Sequence, residues 1–338
     1  MFSFSEIPIK SGNKVPKYSF NNEINSLLKG FKTYLQELEN GENTIRQKSN
    51  YAGYFLKWLE SEHLQPKDAR YNDLLNFIDY CKLENNSNKL INSKLRSVRN
   101  FYEYLKKQNP NIINPASNLY VRGTRRKIIT GTIDYKTLET LYQFYKTETL
   151  RQKRNKVILG LFVYQGITTE ELHQLEPGHL KLKEGKIYIP GNRRRNSRKL
   201  ELKPFQILEL HEYVNEIRPK IIKEITKPKP ARKPDKINKT QIENQLFISI
   251  NGSENIKNSL LHLFKDIQKI NPPALCGITN AKQIRQSVIV QWLKTMNLRH
   301  VQYMAGHKYV SSTERYQTNN LDNLQSKLEK HHPLNEHF

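Results

Sequence analysis

Cysteine is nearly absent from this chain. Cys81 and Cys276 are the only two in 338 residues, far apart, with no CxxC pair and no His/Cys cluster. Such a set excludes a disulfide scaffold and a zinc site, and it suits a reducing, cytoplasmic compartment. Long apolar runs are missing too. The longest, Val157 to Tyr164, falls far short of the roughly 20 residues that span a bilayer. The opening Met1-Phe2-Ser3-Phe4-Ser5-Glu6 has no basic stretch leading into an apolar one, so no secretory leader is expected. Gly-rich phosphate loops and carboxylate clusters for magnesium are absent as well. Acidic residues are the last scarcity: 32 Asp and Glu stand against 56 Lys and Arg, a net charge of +24. An excess of that size draws in polyanions such as nucleic acid, although a ribosomal or membrane-surface protein is basic as well. Charge alone fits equally a protein that binds RNA or DNA without regard to sequence.

What is present divides into two textures. Residues 1–20 form an N-terminal extension, and residues 21–108 read as four amphipathic helices. Their apolar stripes are Leu27, Leu28, Phe31, Tyr34, Leu35 and Leu38; then Tyr51, Tyr54, Phe55, Trp58 and Leu59; then Leu74, Leu75, Ile78 and Cys81; then Leu95, Val98, Phe101, Tyr102 and Leu105. Short helices of this kind bury their stripes against one another, which predicts a compact helical module. Arg46 and Lys48 on the second helix, with Lys94, Arg96 and Arg99 on the fourth, are expected on polar faces that meet phosphate. Residues 109–132, with Pro110, Pro115 and the run Arg122-Gly123-Thr124-Arg125-Arg126-Lys127, read as a basic linker, in which Arg125 and Arg126 are candidates for DNA contact.

Residues 133–338 mix α and β. Helical patterns cover Tyr135–Thr147, Arg151–Gln165 and Phe205–Ile222. Lys186–Ile189 and Lys199–Leu202 alternate as short strands, joined by a cationic tip that carries Arg193, Arg194 and Arg195; these arginines and Lys199 are further candidates for DNA contact. Residues 224–240 are expected to be a mobile basic loop. Near the end, Arg285 lies on a helical stripe with Ile284, Val288 and Trp292, and His307 stands nine residues before Tyr316. A tyrosine can hold phosphate covalently, while arginine and histidine neutralise phosphate charge, so this ordered set points to chemistry on a DNA backbone.

These segments together resemble the tyrosine recombinase (phage integrase) family, in the manner of the integrases found in the Bacteroidetes. The likeness rests on Asn43-Thr44-Ile45 through Trp58-Leu59, on Leu95 to Tyr102, on Tyr164-Gln165-Gly166-Ile167-Thr168-Thr169-Glu170-Glu171-Leu172 with the hairpin after it, on Lys282 to Arg285, and on Gly306-His307 to Tyr316. It implies a mainly α fold with a small β-hairpin sheet: a helical SAM-like core-binding domain followed by an α/β catalytic domain. The activity it implies is site-specific DNA recombination through a 3′-phosphotyrosyl intermediate, needing neither metal nor other cofactor. Tyr316 is then the nucleophile, and Arg285 and His307 bind the phosphate; Glu171 reads as a structural group that orients a neighbour or buttresses an arginine. Lys282 stands where the family usually has histidine. The implied partner is double-stranded DNA, on which protomers assemble as tetramers, with Leu321, Leu324 and Leu328 offering a terminal apolar stripe.

Two positions depart from the family pattern. Thr168 stands where the first catalytic arginine is expected, and Arg193 falls in the slot of the general-acid lysine. A threonine offers one neutral donor in place of a charged fork. Either Arg193, Arg194 or Arg195 supplies the missing guanidinium, with Lys282 or Lys199 as acid, or the chain is an impaired homologue that serves as an accessory sequence-specific DNA-binding protein.

Overall fold

The computed structural model describes residues 22–123, 131–227, 239–250, 256–269 and 277–317. The chain divides into two compact units, Met1–Arg126 and Lys127–Phe338, each with its own apolar core. The N-terminal extension, Arg125, Arg126, Cys276 and the Leu321–Leu328 stripe lie outside the described residues, as do residues 228–238 of the expected loop. Among the described residues no helix is long and apolar enough to cross a membrane.

The first unit contains helices α1 (Asn22–Glu37), α2 (Glu42–Ser61), α3 (Tyr71–Leu83) and α4 (Asn88–Gln108). Their stripes meet in an aromatic core in which Phe31, Phe55, Phe77, Phe101 and Tyr102 are fully buried. Phe55 and Phe77 pack edge to face at 5.1 Å, the arrangement the ring quadrupoles favour. Two expected core residues are exposed. Leu38 lies just past the end of α1, and Leu75 is displaced by its neighbours Leu74 and Phe77, which take the inward positions of α3.

Residues 109–123 are not a free linker. Ala116 and Leu119 are buried in the first core, and Arg99 fastens them by donating to the carbonyls of Ala116 (2.9 Å) and Leu119 (3.0 Å). Asn92 pairs with both backbone groups of Val121, accepting and donating at 2.8 Å. The backbone groups of an irregular segment need partners, and α4 supplies them from its flank.

The second unit begins with α5 (Tyr135–Phe144), α6 (Leu150–Gln165) and the short α7 (Thr169–His173). A three-stranded antiparallel meander follows, with β1 (Leu180–Lys181), β2 (Lys186–Ile189) and β3 (Arg198–Glu201) in sequence order. The two-residue β1 was too short to leave an alternating signal in the sequence. Register pairs Ile187 with Leu200 and Ile189 with Arg198, so period-two alternation puts Arg198 on the buried face with the aliphatics.

The helix expected over Phe205–Ile222 is α8 (Pro204–Glu212), a wide turn at Tyr213–Ile217, then α9 (Arg218–Thr226). Pro219 has no N–H and crowds the carbonyl one turn back; the helix widens there, and the Arg218 N–H reaches back to the Tyr213 carbonyl. Because α9 runs to Thr226, the first residues of the expected loop are helical. The remaining helices are α10 (Lys239–Asn244), α11 (Lys257–Ile267), α12 (Ala281–Thr295), α13 (Leu298–Ala305) and α14 (Ser311–Glu314). Residues buried on α6 (Ile158, Leu161, Phe162) and on α12 (Ile284, Val288, Trp292) join the second core and fix the backbone that carries Arg285.

Candidate active site

A cleft of about 1150 Å³ opens in the second unit, and Thr168, Arg194, Arg195, Lys282, Arg285, His307 and Tyr316 are among the residues that line it. Local sequence fixes each approach. Gly166 ends α6 at φ +55°, turning the chain so that Thr168 caps α7. Thr168 Oγ1 accepts from the Glu171 N–H (3.2 Å), and Glu171 Oε2 accepts from the Thr168 N–H (2.8 Å), a reciprocal capping box. Asn280 caps α12 by accepting from the Gln283 N–H at 3.0 Å. Gly306 ends α13 at φ +66°, after which His307 pairs as an isolated antiparallel bridge with Arg195 of the hairpin tip. The Asn196 N–H donates to the Gly306 carbonyl at 3.1 Å, so the tip is fastened to the segment that carries His307.

At the centre lies Glu171, fully buried among three guanidiniums. Arg198 grips it with both terminal nitrogens (2.7 and 3.3 Å), Arg285 lies at 3.8 Å and Arg195 at 3.9 Å. Burial alone would push this carboxyl up, but the Arg198 hydrogen bonds and charge, helped by Arg285 and the Thr168 N–H, hold it at about 2. Arg198 is the group that sequence reasoning missed. Its place in alternation with the buried Leu200 was the available signal.

Arg285 is almost wholly buried and donates to the carbonyls of Gly166 and Ala305. Its Nη2 also meets His307 Nε2 at 3.3 Å. Burial lowers its pKa to about 10, Glu171 working in the opposite direction, so it stays charged at neutral pH. Burial and the neighbouring arginines lower His307 to about 4, and it is neutral there. A guanidinium has no lone pair to offer, so Nε2 accepts and Nδ1 carries the hydrogen, which it donates to Thr313 Oγ1 at 2.9 Å. The imidazole lies nearly parallel to the Tyr316 ring, 19° apart with centroids at 5.9 Å. In this arrangement Nε2 is an acceptor; donating from it to a phosphate oxygen requires the proton to change nitrogens.

Other sequence candidates separate. Lys282 and Arg194 are exposed on the cleft lining, whereas Arg193 and Lys199 are exposed but outside it. Arg193 is therefore not where the sequence pattern put it, because the tip turns Arg195 inward through its bridge to His307. Within the first unit, Arg46 and Arg96 are exposed and Lys48 is half-buried. Burial, and then the charge of Arg96, lower the Lys48 pKa, so α2 and α4 share a cationic face. Lys94 is not part of that face. It is 5% exposed, with its ammonium 3.4 Å from the centre of the Tyr54 ring and 3.8 Å from Cys81 Sγ. Ile91 and Val98, three residues before it and four after, draw it into the core. Arg99 is spent on the carbonyls of Ala116 and Leu119.

The sequence profile of the phage integrase family matches residues 132–322, more than half of the chain and the segment that holds Thr168, Glu171, Arg195, Lys282, Arg285, His307 and Tyr316. The chain belongs to the phage integrase family. The tyrosine recombinase XerC of Staphylococcus aureus (strain JH9) is 30% identical to this integrase-family chain over 131 residues, 39% of the chain and 44% of the relative. The chain thus spans less than half the length of that relative. XerC of Staphylococcus epidermidis is 24% identical over 284 residues, covering 81% of the chain and 86% of the relative. Among solved structures, the Tn1549 transposon integrase in complex with transposon right end DNA superposes with a TM-score of 0.60 at 14% identity, over 88% of this chain and 99% of that one. The XerH recombinase bound to palindromic difH substrate gives 0.60 at 19% identity, over 85% and 79%. At these identities the two likenesses establish a shared fold.

Proposed function

We propose that this integrase-family chain cleaves and rejoins double-stranded DNA at specific sites, with Tyr316 as the nucleophile. The Tyr316 hydroxyl gives up its proton to water in the cleft as its oxygen attacks a backbone phosphorus, forming a phosphotyrosyl bond to the 3′ side and breaking the bond to the 5′ oxygen. That oxygen takes up a proton and leaves as a hydroxyl; attack by a second strand's 5′ hydroxyl reverses the step and frees the tyrosine. The phosphate–ester energy is retained throughout. Arg285, anchored by backbone carbonyls, offers its remaining N–H groups to the non-bridging oxygens, where negative charge grows in the transition state. His307 stays neutral through the working pH range and joins Arg285 at the phosphate, donating from Nε2 once its proton has moved there from Nδ1. Lys282, on the cleft lining, is the candidate acid for the leaving oxygen.

The observation that carries this reading is the meeting of Tyr316, His307 and Arg285 at one cleft within the segment matched by the family profile. Arg46, Lys48 and Arg96 supply phosphate contacts from the first unit, and protomers assemble on DNA in fours across two duplexes. The test is a covalent trap. A pool of nicked duplexes of randomised sequence, incubated with the protein, should yield a DNA adduct stable to denaturant, and its recovered sequences should converge. Tyr316→Phe should abolish the adduct while leaving duplex binding intact. An adduct that persists in Tyr316→Phe would sink the assignment.

A further inference from the structure

The strand-transfer reading leaves one chemical gap. Position 168 offers a hydroxyl where a second fixed cation is needed beside Arg285, and loss of one transition-state donor costs about 10²–10³ in rate. We infer that Arg195, at the tip of the β2–β3 hairpin, supplies that cation and is a catalytic residue contacting the scissile phosphate. The inference rests on the proposed strand-transfer reaction.

Four observations converge on Arg195 and away from its neighbours. Its Nη1 donates to Thr168 Oγ1 at 2.6 Å, so the guanidinium occupies the space beside the short side chain at 168. Glu171, the carboxylate that orders Arg198 and Arg285, also lies 3.9 Å from Arg195. One carboxylate thereby sets the positions of two cleft arginines at once. The backbone of Arg195 is fixed on both sides: it exchanges hydrogen bonds with Asn192 (2.9 and 3.2 Å) and bridges to His307. Finally, its side chain is 25% exposed and lines the cleft, so it is oriented yet open to a ligand. Among the described residues no other acceptor is bonded to it, which leaves N–H groups for phosphate oxygens. Arg194 is exposed, and Arg193 lies outside the cleft.

The hairpin tip is shaped for this task. A Cβ on Gly191 would lie 2.7 Å from the Ser197 nitrogen, so only glycine lets the tip close tightly enough to turn Arg195 inward. Thr168 is matched to it. A β-hydroxyl there caps α7 and accepts from Arg195 together, whereas a long side chain at 168 could do neither.

The test uses the duplex recovered from the randomised pool and compares the full-length wild-type chain with Arg195→Ala, Arg195→Lys and the double variant Thr168→Arg, Arg195→Ala. The readout is the single-turnover rate of adduct formation at saturating protein, alongside duplex affinity and the thermal unfolding midpoint of each protein. Arg195→Ala should lose about 100-fold or more in the saturated rate while retaining most of its affinity. Arg195→Lys, a charge without the fork, should be intermediate. Thr168→Arg should return part of the lost rate, which a merely structural role for Arg195 would not allow. A folded Arg195→Ala protein that forms adduct at the wild-type saturated rate, or loses affinity alone, overturns the inference and leaves the strand-transfer reading intact. If wild type forms no adduct with any member of the pool, the strand-transfer reading falls, and this inference with it.

Discussion

Replacing Glu171 by glutamine keeps the size of the side chain and removes the charge around which the cleft is ordered. The Arg198 side chain is fully buried and that of Arg285 is 7% exposed, so both would keep charges that water cannot reach. Breaking a buried pair in this way costs about 3–5 kcal/mol. The titration gives a similar figure. A carboxyl held from its ordinary 4.5 down to about 2, at about 1.4 kcal/mol for each pH unit, contributes about 3 kcal/mol to folding. The sign follows from the direction of that shift. Because the folded carboxyl is the stronger acid, its contribution is complete above pH 4.5 and disappears as pH falls through about 2. Trp292 is buried in the second core, and Trp58, the only other tryptophan, is in the first unit. In a Trp58→Phe background, fluorescence during urea unfolding therefore reports the second unit alone. Glu171→Gln should lower its stability by about 3 kcal/mol at pH 7, equivalent to roughly 10 °C in melting midpoint for a unit of this size. The gap between variant and parent should narrow steadily below pH 4.5. A gap of the same size at pH 7 and pH 3, or no gap at pH 7, would refute the account of Glu171 as the charge that organises the arginines.

Two further substitutions probe separate parts of the molecule. Gly306→Ala should destabilise the second unit by about 1–2 kcal/mol in the same urea assay, since a left-handed conformation opposes any Cβ and the new methyl would run into the Arg198 guanidinium; an unchanged midpoint would contradict the tight closure at α13. Lys94→Met should keep stability within about 1 kcal/mol of wild type, exchanging a buried ammonium for a side chain of similar length. Its DNA affinity should be unaffected, whereas Arg96→Ala should lower the slope of log affinity against log salt by about 0.9. Equal losses in these two variants would show that Lys94 reaches DNA.

How far the sequence carries the structure depends on whether a feature is local. Helical spacing was enough for the four helices of the first unit, and alternation was enough for β2 and β3, because those periods are set by each segment's own backbone. The grouping of Arg285, His307 and Tyr316 was legible as well, since α12, α13 and α14 follow one another with short turns. Lys94 was misread although the signal was present: Ile91 and Val98 place it beside the core stripe, and its hydrocarbon stem can follow them inward. Arg99 could not be read, since its partners are carbonyls contributed by a later, irregular segment. The choice of Arg195 among three consecutive arginines was equally hidden. It depends on a bridge to His307, and no period within the hairpin reports which tip residue will turn toward a distant strand.

Arg285 clasps the carbonyl of Gly166, 119 residues earlier in the chain, and that of Ala305, 20 residues later. The guanidinium is thus a keystone between the ends of α6 and α13 as well as the group proposed to bind phosphate. Until both ends are seated there is no anion cradle at all. The proposed strand transfer is thereby denied to any half-assembled form of the second unit, and the safeguard resides in the architecture itself.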